Sequence, residues 1–535
     1  MSSNFNYINN GENCSSRGNC TISPEAASLH ELIMYHIIHA CHYINKLEKF
    51  NLVNYKITDE IIDIIASLVY INEYSDKQLY EIALKSYYIF TNSKTRYVAE
   101  CLENNLDPEH IPELVNFDDN FSQSKAILYG DLLTRHLNSS VSSENRKFIQ
   151  ILYIVLKSVC QNISNLFDMN VKLNSEIRFV ISSLSELNVI YDDKTLLVRL
   201  LSSLADLDSK LKLKISDTLL CKFGNISDVV VSHSTRRGKC ILVSGSNFSE
   251  LYEILKMTKD LNIDIYTHSN LLLSHCLDAF KEFPHLIGHY GNNTENCIVD
   301  YGTFPGAILL TKNSKNNTEY LYRGRIFSND YVTPIGVIKI ENNNYEPLIE
   351  SANKSVGFKK GRQKPDTFLG FNESDLDKLI EKLYARFEAN KLSRLFIVGM
   401  NSFSEVQKEY FDVFLSSLKQ DEFAISFYYK SDKSNVVTLD IANYVPLANY
   451  VLSKILADKK YISRIYFLFP ACDISSVSAI ISLKNFGASN FYMTTCSSQI
   501  INPVVFDLLR VEYGINLLTN PADNLKNIRK NTSQF

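Results

Sequence analysis

No run of about 18 apolar residues occurs anywhere in this chain, so no span of a bilayer is expected. The opening stretch, MSSNFNYINNGENC, has neither the charged start nor the apolar core of a secretory signal. The expected location is therefore the cytoplasm or an organelle matrix, and secretion is not expected. Charge of one sign is also missing. With 55 Lys and Arg against 59 Asp and Glu, the net charge of −4 provides no global basic field of the kind that duplex or RNA binding requires. The longest basic cluster, FKKGRQKP from Phe358 to Pro365, reads as a solvated loop between domains. Neither a nucleic acid nor a membrane is an expected partner. The eleven cysteines form no dense framework, which argues against a disulfide scaffold. Cys101, Cys160 and Cys221 lie in apolar helical patterns and read as small buried hydrophobes. Only Cys14 and Cys20 form a close pair, in CSSRGNC. Tryptophan is absent beside abundant Asn, Ile, Lys and Tyr, which excludes no function.

What is present is a folded chain of 535 residues, 45% of them hydrophobic, long enough for about three domains. From about Ala26 to Phe223 apolar residues recur at three and four. Leu29, Leu32, Ile33, Ile37, Cys41 and Ile44 make one stripe, and Phe148, Leu152, Val155, Leu156 and Val159 another. Such repetition implies bundled helices. After Asn225 short β-branched runs (DVVVSH, CILVSG, IDIYTH, GAILLTK) alternate with helical segments, as in a mostly parallel sheet covered on both faces. A second set follows the Lys/Gly/Pro stretch near residue 360, with RLFIVG, FAISFYY, RIYFLFP and NFYMTT as its strands. The expected architecture is α plus α/β and multidomain: a helical bundle over 1–225 and two Rossmann-like doubly wound domains over 226–362 and 363–535.

The carboxyl ends of parallel strands are where such sheets place their chemistry. Here those ends carry SGSNF, THSN, TKNSKN, VGMNSF, FYYKS and FPACD, nearly all neutral residues. Neither a nucleophile with its base nor a glycine-rich phosphate turn is among them.

The stretches IYTHSNLLLSHCLDAFKEFPHLIGHYG, FPGAILLTKNS, YRGRIF and SANKSVGF resemble the hybrid-cluster proteins, also called prismane proteins or hydroxylamine reductases, cousins of the carbon monoxide dehydrogenases. The resemblance runs from CSSRGNC to the last helices. It implies the three-part architecture above and an iron–sulfur–oxygen cluster where the parts meet. Carried over one by one, the cluster ligands are replaced. The histidine of the family's Gly-His-Asp-Leu turn falls on Ser246, and the glutamate of its His-Gly-Glu-Met on Asn270. Its cysteine positions fall on Ser314, Asn401, Tyr429 and Asn443, and its Glu and Lys of a Trp-Phe-Glu-Gln-Lys turn on Asp473 and Ser475. Cys14 and Cys20 match the second half of the four-cysteine motif for a cubane cluster; the first half falls on Ser2 and Phe5. Three histidines that the family carries, His268, His275 and His285, are retained. Together with Cys276 and His289 their spacing fits no standard structural zinc site.

Chemistry points the same way. Iron in sulfide clusters is held by thiolates, which hydroxyls and amides replace poorly. Charged ligands left behind without metal would be uncompensated in a cavity, so their replacement by neutral groups is what a metal-free interior favours. No cofactor is expected, the alternative being an iron–sulfur or iron–sulfur–oxygen cluster. The expected function is that of a degenerate family member, a pseudoenzyme that binds an unknown protein partner or small ligand. The alternative is an active oxidoreductase that reduces hydroxylamine or a related nitrogen oxide through a rearranged iron site using Tyr429, Asp473, Cys472 and the histidines. A third reading, a metal-free redox sensor, uses reversible oxidation of Cys14 and Cys20.

Overall fold

The computed structural model describes residues 23–52, 54–114, 121–291, 297–312, 324–333, 336–400, 407–494 and 503–531. Backbone contacts divide the chain into two compact units. The first comprises 1–211 with 472–485 and 496–513, and the second comprises 212–471 with 486–495 and 514–535.

Helices fill the chain from Pro24 to Phe223: α1 (Pro24–Glu48), α2 (Tyr55–Ser67), α3 (Asp76–Glu103), α4 (Gln123–Ser140), α5 (Ser143–Asp168), α6 (Asn174–Ile190) and α7 (Lys194–Phe223). Their starts are written in the sequence. Ser23 caps α1 by accepting from the Ala26 amide, with Pro24 as the first helical residue. Ser75 and Gln78 form a reciprocal capping box on α3. Helix α1 is the axis of this unit, packed against α3, α4 and α6. Both expected apolar stripes are buried on it and on α5. Cys101 and Cys160 are buried as expected, but Cys221 is exposed. Ile215, Leu219 and Phe223 turn the inner face of α7 inward, and Cys221, two residues out of phase, points to solvent. Late in the chain a further helix joins this unit: Asp208 of α7 accepts from Asn162 of α5 at 2.8 Å and from the Ser478 hydroxyl at 2.6 Å.

The second unit holds two parallel sheets. Its strands and helices are β1 (Val229–Val231), β2 (Lys239–Ser244), α8 (Phe248–Thr258), β3 (Ile263–His268), β4 (Leu286–His289), α9 (Cys297–Thr303), β5 (Ala307–Leu310), β6 (Ile326–Ser328), β7 (Ile338–Lys339), α10 (Glu346–Lys354) and β8 (Thr367–Leu369). Then come α11 (Glu373–Glu388), β9 (Arg394–Val398), α12 (Lys408–Ser416), β10 (Glu422–Ser426), β11 (Val436–Thr438), α13 (Val445–Ile455) and β12 (Ile465–Phe469). Last are α14 (Ile474–Phe486), β13 (Phe491–Met493), α15 (Pro503–Tyr513), β14 (Ile515–Leu517) and α16 (Pro521–Asn531). Most of α14 and all of α15 belong to the first unit.

The first sheet has the order β4-β3-β2-β5-β6-β7 and the second β11-β10-β9-β12-β13-β14, every pair parallel. Their strand runs are apolar because helices cover both faces. Strand order reverses between β2 and β5 in one sheet and between β9 and β12 in the other, the points at which such sheets open a crevice. A buried ion pair ties the second sheet together: Glu422 on β10 accepts from Arg394 of β9 at 3.2 Å and from Arg529 of α16 at 2.9 and 2.6 Å.

Candidate functional site

The crevice of the first sheet is built by the ends of β2, β3 and β5. Strand β2 stops at Ser244, and Gly245 turns the chain at φ +134°, a conformation open to glycine at no steric cost. The next two amides, of Ser246 and Asn247, both donate to the Thr311 hydroxyl beyond β5, at 3.2 and 3.4 Å. Asn247 caps α8, its side-chain oxygen accepting from Ser249 and Glu250. Glu250, buried in the first turn, accepts from the Lys312 amide, the Asn329 amide group and the Tyr345 hydroxyl. A helix start at a switch point ordinarily offers free amides to an anion. Here this chain's own side chains take them.

Strand β3 delivers His268 directly opposite Ser244 in the sheet register. Its Nδ1 lies 2.8 Å from Ser244 Oγ, which also meets the Tyr301 hydroxyl at 2.8 Å, and its Nε2 lies 3.3 Å from Asp300. Serine, histidine and carboxylate in one chain of hydrogen bonds suggest a nucleophile. Ser244 and His268 are however buried, at 2% and 0% exposure, and the serine is engaged on both sides, so the chain is a packing device. One residue earlier, Thr267 Oγ1 contacts His275 Nε2 at 3.0 Å and His289 Nδ1 at 2.9 Å. His289 stacks on His268, with ring centroids 6.1 Å apart, and meets His233 edge-on at 5.5 Å. Burial and three neighbouring histidines hold His289 well below the ordinary histidine range. Burial lowers His275 to about 4. His285 stands apart, bound to the Thr258 hydroxyl and the Leu255 carbonyl. Of the three retained histidines the structure thus brings two together. Ser244, Thr267, His233 and Asp300 were not singled out in the sequence; the register that sets Ser244 opposite His268 is what joins them.

Asn270 follows Ser269, which adopts a left-handed φ of +61°, and is half-buried. In the second sheet Tyr429 lies beyond β10, buried and stacked on Phe411 with centroids 4.4 Å apart. Asn443 sits in a turn where it and Ala442 have φ of +59° and +52°. That turn is braced by Asp440, whose carboxylate accepts from the Ala442 amide and which burial raises to about 6. Its next residue, Tyr444, packs on Phe248 of α8 with centroids 5.0 Å apart. Asp473 and Ser475 belong to the other compact unit, where Asp473 accepts from the Ser476 amide at 2.7 Å at the start of α14. Cys14, Cys20, Ser314 and Asn401 lie outside the described residues.

At the described positions of the second unit the available donors are therefore a serine hydroxyl, two asparagine amides and a tyrosine phenol. Among the described residues no three of His, Cys, Asp or Glu gather where they could hold a metal ion. An iron–sulfur assembly needs thiolates or close substitutes, and this donor set does not fit one.

A helical N-terminal region followed by two parallel sheets defines a class. The family model of the Prismane/CO dehydrogenase family matches residues 8–425, and the chain belongs to that family. It is 27% identical over 322 residues to a hydroxylamine reductase of Moorella thermoacetica, a match covering 57% of this chain and 75% of that protein. Against the hydroxylamine reductase of Mannheimia succiniciproducens it is 25% identical over 323 residues, covering 57% of this chain and 58% of the other. With that of Rhodospirillum rubrum it shares 32% over 199 residues, 37% of this chain and 36% of the relative. The match thus spans three quarters of one relative and under three fifths of the others. Among solved structures, one of acetyl-CoA synthase/carbon monoxide dehydrogenase alpha subunits with NiZn[Fe4S4] and NiNi[Fe4S4] clusters aligns over 96% of this chain and 83% of its own, at 11% identity and a TM-score of 0.46. No helix among the described residues is long and apolar enough to cross a membrane.

Proposed function

We propose that this chain is a non-catalytic member of the hydroxylamine reductase family that has lost both iron–sulfur clusters and serves as a binding, structural or regulatory protein of the cytoplasm or an organelle matrix. The observation that carries the reading is the donor set. Where the family resemblance places metal ligands, Ser246, Asn270, Tyr429 and Asn443 offer neutral groups, Thr311 holds the Ser246 and Asn247 amides, and the one carboxylate, Asp473, accepts from the Ser476 amide at a helix start. Soft, anionic ligands bind and tune iron in such clusters, and none of the four neutral side chains is one. The same substitutions suit a metal-free interior, in which stranded carboxylates and thiolates would each cost a few kcal/mol.

The test is iron and acid-labile sulfide per chain, with an absorption spectrum, on protein produced and purified without oxygen. The expected result is essentially no iron in a cooperatively folded protein. The second reading, an active oxidoreductase for hydroxylamine or a related nitrogen oxide, is favoured by the relatives' names. It requires about four irons per chain and turnover above background after iron reconstitution, and either result overturns the proposal.

A further inference from the structure

The basic stretch from Phe358 to Lys364 does not stand alone in the fold. Strands β1 and β8 pair antiparallel, with Val229 opposite Leu369, Val230 opposite Phe368 and Val231 opposite Thr367. The pairing resumes further along, with Thr235 opposite Arg362 and Gly238 opposite Phe358. Reciprocal backbone bonds hold both places: Thr235 and Arg362 exchange amide-to-carbonyl bonds of 2.9 and 3.0 Å, and Gly238 and Phe358 exchange bonds of 3.0 and 2.8 Å. Next to the first of these, towards β1 and β8, the Ser234 hydroxyl accepts from the Lys364 amide at 3.1 Å. Gly361 permits the approach, since a Cβ there would lie 2.7 Å from the Thr235 carbonyl oxygen. A two-stranded ribbon therefore runs along 229–238 and 358–369, its ladder interrupted over 232–234 and 363–366. It sets TRRGK (235–239) beside FKKGRQK (358–364), two segments far apart in sequence.

Some of these cations are already engaged. Arg236 forms a two-pronged pair with Asp264, at 2.7 and 2.6 Å. Lys239 donates to the Ser355 carbonyl, and Lys364 lies 5.6 Å from the Tyr290 ring centre. Arg237, Lys359, Lys360 and Arg362 are exposed and form no ion pair with any described residue. The segments 228–239 and 355–366 carry seven cations against Asp228 and Asp366, a local charge of +5, so the rest of a chain of net charge −4 sums to −9. At the other end of the same ribbon Val230 and Phe368, cross-strand partners, are 66% and 55% exposed.

We infer that this ribbon is a docking surface for a protein partner that presents an acidic patch beside an apolar side chain. Four exposed cations without an ion pair among the described residues, on a hydrogen-bonded ribbon, set up a positive field that steers and orients carboxylates. The Val230–Phe368 pair supplies an apolar contact at one end of this surface, which a phosphate backbone has no use for. The rest of the sequence has a net charge of −9, which does not favour a long polyanion such as duplex DNA or an anionic bilayer. The inference holds whether or not the chain binds iron.

Binding by the full chain is measured with two fluorescent acidic peptides of equal charge, one carrying a central Phe and the other Ser in its place. Duplex DNA and phosphatidylserine vesicles are measured at the same salt. Burying one aromatic side chain gives roughly tenfold or more in affinity, so the Phe peptide should bind about that much tighter than the Ser peptide. The double variant Arg237→Glu/Arg362→Glu should weaken both peptides at least tenfold, while Phe368→Ser should abolish the preference for the Phe peptide and leave the Ser peptide unchanged. All substituted side chains are exposed, and a thermal melt of each variant checks its fold. Equal affinity for the two peptides, indifference to the charge reversals, or tighter binding of DNA or vesicles than of the Phe peptide would each overturn the inference.

Discussion

Acid should unfold the helical unit, and two residues of α1 set the pH at which it does so. His36 is wholly buried, its Nδ1 3.0 Å from Ser86 Oγ, whose own proton goes to the Ala83 carbonyl. His39, one turn on, lies 3.0 Å through Nδ1 from the Tyr35 carbonyl, with Phe90 against both rings. Burial, reinforced by the neighbouring His39, pushes His36 down to about 3. Burial lowers His39 to about 4, opposed by the Tyr35 carbonyl and Glu113 and aided by His42 and Lys94. In the unfolded chain both rings titrate near 6.5. As pH falls below about 6.5 the unfolded state takes up protons that the folded state refuses, so the stability present above pH 7 is progressively lost. At pH 5 each ring accounts for about 2 kcal/mol of that loss, about 4 kcal/mol for the pair. Since a domain has only about 5–15 kcal/mol in total, much of the margin is gone. Urea unfolding followed by helical circular dichroism at pH 7 and pH 5 should show this drop. His36→Gln and His39→Gln, whatever they cost at pH 7, should each remove about 2 kcal/mol of the pH dependence. Equal stability at the two pH values, or an unchanged pH dependence in the double variant, would refute the reasoning.

Two further substitutions test the packing. In α4 a Cβ on Gly130 would lie 1.9 Å from the Ser28 carbonyl oxygen of α1. Gly130→Ala should therefore cost about 1–3 kcal/mol by overpacking, in spite of alanine's better helix propensity, read as a lower thermal midpoint. Glu422→Gln leaves Arg394, only 9% exposed, and Arg529 without their carboxylate and should cost about 3–5 kcal/mol in denaturant unfolding. Replacing Glu422, Arg394 and Arg529 together by apolar residues of similar size should cost less than this single change, because no charge is then stranded.

Strand ends and helix starts were legible because β-branched runs stop at Gly, Ser and Asn, and because Ser23 and Ser75 stand where caps are needed. Shorter elements escaped. Strand β14 is three residues long, and α16 is mostly polar, so neither raises a periodic signal. Cys221 was misread because an apolar helical stretch does not by itself say which phase faces inward; Ile215, Leu219 and Phe223 decide that through packing. Ser246 and Asn270 acquire meaning only from the family resemblance, since a serine after a strand is common. The closure of the Ser246 amide by Thr311, and the contact of His268 with Asp300, depend on pairs 65 and 32 residues apart that only the sheet order brings together. The basic ribbon was half visible: FKKGRQK stands out in the chain, but TRRGK gains weight only through the pairing of Thr235 with Arg362.

Tyr429 shows why restoring one ligand should not restore a cluster. Its ring lies on Phe411 and is part of a core with Phe396, Val398, Phe414 and Tyr492. The phenol side chain is thus a packing element of the second sheet, and a residue that fills space in a close-packed interior is costly to shrink. Tyr429→Cys removes an aromatic ring at 2% exposure and should destabilise the protein by about 3–5 kcal/mol, as loss of buried rings does elsewhere. A single thiolate gained, with amides and a hydroxyl at Asn443, Asn270 and Ser246, would be too few soft ligands for iron and sulfide. The expected outcome is a lower unfolding midpoint with no gain in iron after anaerobic reconstitution. Stoichiometric iron in Tyr429→Cys, or undiminished stability, would mean that the position is still a ligand site and has not been absorbed into the core.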